Sequence, residues 1–185
     1  MASTLKVNEI QHTGGTSAMT IDSGGSLNFP NLPCFHVTKN TDQTLTDANT
    51  ALVTFESVTD GSNGGRTINR GGLFASNKLT VTAATTGIYY LYCNIFFQGS
   101  TDIGDFHMYY KINGSDTQQV VYANAGYGNS LRWGTYQNNQ IINLDTAGDY
   151  VELYAYADMT SGGTMNLNHN STSIQRTNWG GYKIA

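Results

Sequence analysis

The chain has 185 residues, of which 39% are apolar and only 12% charged, with a net charge of −4. That length suits one large domain, or a domain with an appendage, and is enough to bury a core of ordinary size. The sparse charge, with no basic stripe, excludes a nucleic-acid surface, and no segment approaches the ~20 apolar residues of a helical membrane span.

Residues 1–33 carry short alternating runs. Leu5, Val7 and Ile10 come first, then Met19 and Ile21, then Leu27 and Phe29, with Gly14–Gly15 and Gly24–Gly25 between them. This pattern predicts three very short strands. Strands so short cannot bury a core alone. An ordered arm would need cover from copies of itself around an axis or from a host surface. A loose tail is the other reading, since termini are commonly disordered, but the regular alternation favours an arm. The first residues hold no apolar run of the secretory kind, so synthesis and folding in the cytoplasm are expected.

From Cys34 onward the alternating runs lengthen. Phe35 and Val37 alternate; Val53 and Phe55 oppose Leu52, Thr54 and Glu56; Leu73, Phe74, Leu79 and Val81 lead into residues 87–97. That uncharged stretch organises the rest. At period two, Tyr89, Leu91, Cys93, Ile95 and Phe97 form a greasy face, and Ile88, Tyr90, Tyr92, Asn94 and Phe96 a mixed one. Aromatic and β-branched enrichment makes it a central strand of a two-sheet sandwich. Phe106, Met108, Tyr110 and Ile112 share the next face, and Asn113–Gly114 predicts a primed hairpin turn leading to Val120 and Tyr122. Ile142 and Leu144 follow, then Val151, Leu153, Ala155 and Ala157 facing inward, then Met165 and Leu167. Eight to ten strands at roughly ten-residue spacing, with no amphipathic helix, predict an all-β jelly-roll sandwich.

Enzyme signatures are missing. His12, His36, His107 and His169 have no helical pairing, and there is no nucleophile elbow or phosphate loop. The expectation is a non-enzyme without cofactors. Cys34 and Cys93 offer no zinc spacing. Cys93 reads as a buried hydrophobe, and a bridge between the two is the less favoured alternative. Residues 122–136 combine rings (Tyr127, Trp133, Tyr136), amides (Asn124, Asn129) and Arg132. Such a mixture stacks on sugar faces and bonds hydroxyls. A strand packed at an interface between copies, where aromatics and Arg are enriched, is the favoured reading of the two.

Three motifs carry a resemblance. They are Gly72-Leu73-Phe74 followed by residues 86–91 (Thr-Gly-Ile-Tyr-Tyr-Leu), residues 147–153 (Ala-Gly-Asp-Tyr-Val-Glu-Leu), and residues 179–184 (Trp-Gly-Gly-Tyr-Lys-Ile). In order and spacing, residues 34–185 resemble the jelly-roll domain of the C1q and tumour necrosis factor superfamily. The resemblance implies a compact homotrimer, with Tyr89, Tyr182 and parts of 118–144 toward the axis. It also raises a calcium site by analogy, for which Asp102, Asp105 and Asp116 are the candidate oxygens, although no metal is expected from the spacing. No collagen stalk is present. In its place, residues 1–33 resemble the N-terminal segment of bacteriophage tail-fibre and other virion proteins. That implies particle attachment through Leu5, Val7, Ile10, Met19 and Ile21, and a place on the virion surface. The expected function is a trimeric fibre-like virion protein with a host-glycan surface. A capsid decoration protein is the alternative, and a non-viral, secreted-type binding module is the second.

Overall fold

The computed structural model describes residues 7–56, 67–124, 131–168 and 177–185, with residues 116–124 described along the backbone. All regular structure there is β. In chain order the strands are β1 (Glu9–Gln11), β2 (Ser17–Ile21), β3 (Leu27–Asn28), β4 (Cys34–Thr38), β5 (Gln43–Thr46), β6 (Asn49–Leu52), β7 (Ile68–Arg70) and β8 (Phe74–Ala75). They continue as β9 (Lys78–Thr80), β10 (Gly87–Gly99), β11 (Ile103–Ile112), β12 (Asp116–Asn124), β13 (Trp133–Leu144), β14 (Tyr150–Met159), β15 (Thr164–Leu167) and β16 (Asn178–Lys183).

The first three strands pair as a small antiparallel sheet of their own, as the alternation in residues 1–33 predicts. The other strands make two layers. One is a seven-stranded sheet in the order β5-β15-β10-β16-β4-β7, with β13 on the remaining edge of β10. The other is a six-stranded sheet in the order β12-β11-β14-β9-β8, with β6 beside β14. The strand count exceeds the eight to ten expected because residues 34–80 break into six short pieces rather than two or three long ones.

The central strand behaves as its pattern requires. Tyr89, Leu91, Cys93, Ile95 and Phe97 of β10 are all buried, and they meet Phe106, Met108 and Tyr110 of β11 and Val151, Leu153, Ala155 and Ala157 of β14 in one core. Trp179 of β16 sits in the middle of an aromatic cluster. Its ring lies edge-on to Phe35 at 5.2 Å and Phe74 at 5.3 Å, and stacks with Tyr110 at 5.8 Å. Each such pair adds about 0.5–1.5 kcal/mol beyond the area it buries. The predicted hairpin is present. Asn113 and Gly114 both have positive φ, and the Ser115 N–H donates to the Ile112 carbonyl, the geometry of a type I′ turn.

One buried charge holds the loop after β4. Lys39 is fully buried; its Nζ donates to the Thr54 carbonyl at 2.7 Å and to Thr54 Oγ1 at 3.0 Å, with Glu56 at 3.6 Å. Burial pushes the Lys39 pKa down against the pull of Glu56. Burial also opposes ionisation of Glu56, but the Asn40 N–H, the Thr41 hydroxyl and Lys39 outweigh it and hold that carboxyl below its usual range.

Candidate functional site

The feature that most needs explaining is the outer face of the seven-stranded sheet. Period two puts one side of β10 in the core, so Ile88, Tyr90, Tyr92, Asn94 and Phe96 point away from it. The β10–β13 register brings Ile141 beside Tyr90, Asn139 beside Tyr92 and Gln137 beside Asn94. On the other edge Tyr182 of β16 pairs with Tyr90 and, in turn, with Cys34 of β4. None of these residues is a carboxylate. Ile141 is 63% exposed and Tyr182 40%, on either side of Tyr90, and Trp133 is 68% exposed near the far end of the same face.

The face has a rigid aromatic centre. The rings of Tyr90 and Tyr182 lie 5.4 Å apart, and His36 stacks with Tyr92 at 5.9 Å while its Nδ1 hydrogen-bonds the Tyr92 hydroxyl at 2.8 Å. Burial, with Cys34, Tyr182 and Tyr90 adding to it, pushes the Tyr92 pKa up, so its hydroxyl stays neutral. Tyr92 can lie flat only because Gly180 has no side chain. A Cβ there would collide with the Tyr92 hydroxyl and stand 2.9 Å from the Phe35 carbonyl oxygen. Beside this cluster is a polar hollow of about 640 Å³ lined by His36, Tyr92, Asn94, Gln137, Asn139 and Asn178. Rings, aliphatic groups and neutral amides suit a surface that packs against protein. Among the described residues no group of three or more His, Cys, Asp or Glu is placed to hold a metal ion.

No family model and no curated protein sequence matches the chain. Solved structures do match. Eiger TNF from S. frugiperda aligns with TM-score 0.54 at 15% identity over 84% of this chain and 94% of that one. The globular domain of zebrafish complement 1qA protein aligns with TM-score 0.50 at 13% identity, over 83% and 98%. Murine APRIL aligns with TM-score 0.50 at 17% identity, over 83% and 99%. The fold is a C1q/TNF-like jelly roll.

Within this jelly roll the residues singled out from sequence fall in different places. Tyr182 lies on the outer face, but Tyr89 does not. It is fully buried in the protomer's own core, with its hydroxyl donating to the Thr85 carbonyl, because it shares the parity of Leu91 rather than of Tyr90. The neighbours that do face outward are Ile88, Tyr90 and Tyr92. The proposed sugar platform also separates. Trp133 and Tyr136 are an odd number of residues apart on β13, so Trp133 points out while Tyr136 turns in and stacks on Phe97 at 5.1 Å and Phe106 at 5.5 Å. Arg132 Nε donates to Asp102 Oδ1 at 2.6 Å. The backbone of Asn124 lies opposite Asp105, and Tyr127 and Asn129 lie outside the described residues.

The carboxylates weighed for calcium do not converge. Asp105 and Asp116 sit at opposite ends of the β11–β12 ribbon, roughly 20 Å apart by strand rise, and Asp102 is engaged by Arg132. Cys34 and Cys93 are not bridged to each other: they lie on opposite faces of the same sheet. Burial pushes the Cys93 thiol up to about 11. Of the arm residues, Leu5 lies outside the described residues, Val7 and Ile10 are exposed, and Met19 and Ile21 are half-buried.

Sequence reasoning missed β13 as the long partner of β10. Its outward series of Trp133, Thr135, Gln137, Asn139, Ile141 and Asn143 alternates with inward Ile142 and Leu144. Amides at the middle positions hide that alternation from a hydrophobicity reading.

Proposed function

We propose that this chain is a trimeric structural protein of a bacteriophage virion surface, fibre-like, with its jelly roll projecting and residues 1–33 turned toward the particle. Three copies pack the Tyr90, Ile141 and Tyr182 end of their seven-stranded sheets around a common axis, which leaves Trp133 at the other end uncovered. Ile141, Tyr90 and Tyr182 are then covered, and each large side chain fully buried contributes roughly 1.5–3 kcal/mol. The chain works by assembly and binding, not by turnover.

The observation that carries the fibre reading is the polarity of the sheet. The arm joins at the Ile88 end, where the Lys183 N–H donates to the Pro33 carbonyl. Trp133 lies opposite Gln98 at the other end of β10, roughly 30 Å away by strand rise. The arm and Trp133 therefore lie at opposite ends of the sheet, which supports a reading in which one end attaches and the other presents. The virion assignment itself draws on the resemblance of residues 1–33 to tail-fibre segments. Trp133, with Arg132 near it, is the surface offered to a host glycan.

Particles carrying Trp133→Ala test this directly. The expected result is intact particles, an unchanged protein mass in solution and weakened adsorption to host cells. Unchanged adsorption with fragile heads on loss of the protein would favour the capsid-decoration role. Absence of the chain from purified particles would contradict the virion reading altogether.

A further inference from the structure

The small sheet of β1–β3 has two unlike faces. Its register sets Ile10 against Met19 and Ile21 against Leu27, which gathers these four on one face. Thr20 pairs with Glu9 on one side and Asn28 on the other, which makes the opposite face polar. Leu27 is 57% exposed and Ile10 47%. A sheet that is apolar on one face must bury that face against another layer, and strands of two to five residues supply no such layer themselves.

This arm is tied down at its base. Asn31 Nδ2 donates to the Ser17 carbonyl at 2.7 Å, and the Lys183 N–H donates to the Pro33 carbonyl at 3.0 Å. Phe29, Leu32 and Ile184 line a single hollow of about 340 Å³ at the junction. Ile184 in turn donates its N–H to the Ile88 carbonyl, and Ile88 belongs to the outer face of the seven-stranded sheet. The base of the arm, at Phe29 and Leu32, thus lies beside the edge of the face already proposed to meet sister copies.

We propose that the β1–β3 sheets of three copies close into a three-sided stem on the same axis as the jelly rolls, with Ile10, Met19, Ile21 and Leu27 inward and Glu9, Thr20 and Asn28 outward. The occupant is the same segment of sister chains. The base of the arm abuts the self-association face through Phe29, Leu32 and Ile184, and an uncharged aliphatic surface is complementary to itself. This rests on the trimeric reading above. It assigns Ile10, Met19 and Ile21 to contacts within the trimer and leaves the polar outside of the stem to meet the particle.

The test places single cysteines in the full chain, in a Cys34→Ser background in which the buried Cys93 is retained. Leu27→Cys and Met19→Cys report the inner face, and Asn28→Cys the outer one. Each variant is treated with a short bis-maleimide, and its mass in solution is measured in parallel. The stem predicts trimers throughout, with chain-to-chain linkage roughly tenfold greater at the two inner positions than at Asn28→Cys, because the inner thiols see each other at high effective concentration. Trimers that link no better at the inner positions would overturn the stem and leave the trimer standing. Variants and parent that all run at protomer mass would overturn both.

Discussion

Gly180 is where a single absent methyl group shapes the outer face. The Tyr92 ring occupies the space a side chain would take, and it is held there by the hydrogen bond to His36. A Gly→Ala change that fits its backbone stabilises by about 0.4–1 kcal/mol, through loss of freedom in the unfolded chain. Here the added Cβ has nowhere to go, so Gly180→Ala should destabilise by about 1–3 kcal/mol, the usual cost of overpacking. A lowered urea midpoint at unchanged slope is the expected result, and an unchanged or raised midpoint would show that Tyr92 is free to swing away. Tyr89 and Tyr136 carry a related lesson. Parity sets Tyr89 on the greasy face of β10 and only the family resemblance sets it toward the axis, while the sequence groups Tyr136 with Trp133; the strand turns both inward, where the hydroxyl of Tyr89 finds the Thr85 carbonyl. Residue type alone did not reveal this; position within the strand did.

At the scale of the element, legibility followed the contrast between faces. Strand β10 could be read directly because one face is uniformly apolar, and β11 and β14 for the same reason. The Asn113–Gly114 hairpin was equally plain, since two consecutive positive-φ residues leave few alternatives. Strand β13 was opaque because Gln137, Asn138, Asn139 and Gln140 put amides on both faces. Its strand character comes from backbone pairing along the whole of β10, which no local pattern announces. The Lys39–Glu56 contact was hidden for another reason: it joins residues far apart in sequence through a loop that only the fold brings together. It also sets a pH dependence. The folded-state pKa of Glu56 lies below its usual range, so the carboxylate stabilises the fold at neutral pH, and that contribution is lost as the pH falls through the folded pKa. Glu56→Gln should therefore be less stable than the parent at neutral pH and lose stability less steeply on acidification. Parallel denaturation curves across the acid range would contradict the assignment.

For the whole molecule, the two layers account for their inner faces and leave one outer face unexplained. The six-stranded sheet presents a mixed surface on which Lys78 and Lys111 lie over Tyr150 and Tyr154. The seven-stranded sheet presents Ile141 and Tyr182, on either side of Tyr90, with no such polar cover. Self-association through that face is what covers Ile141 and Tyr182, and sedimentation equilibrium of the full chain measures it. The prediction is a species three times the 20.1 kDa protomer, reduced to one protomer by Ile141→Asp with its β-sheet circular dichroism intact. A parent chain that sediments as a single folded protomer at micromolar concentration would contradict it.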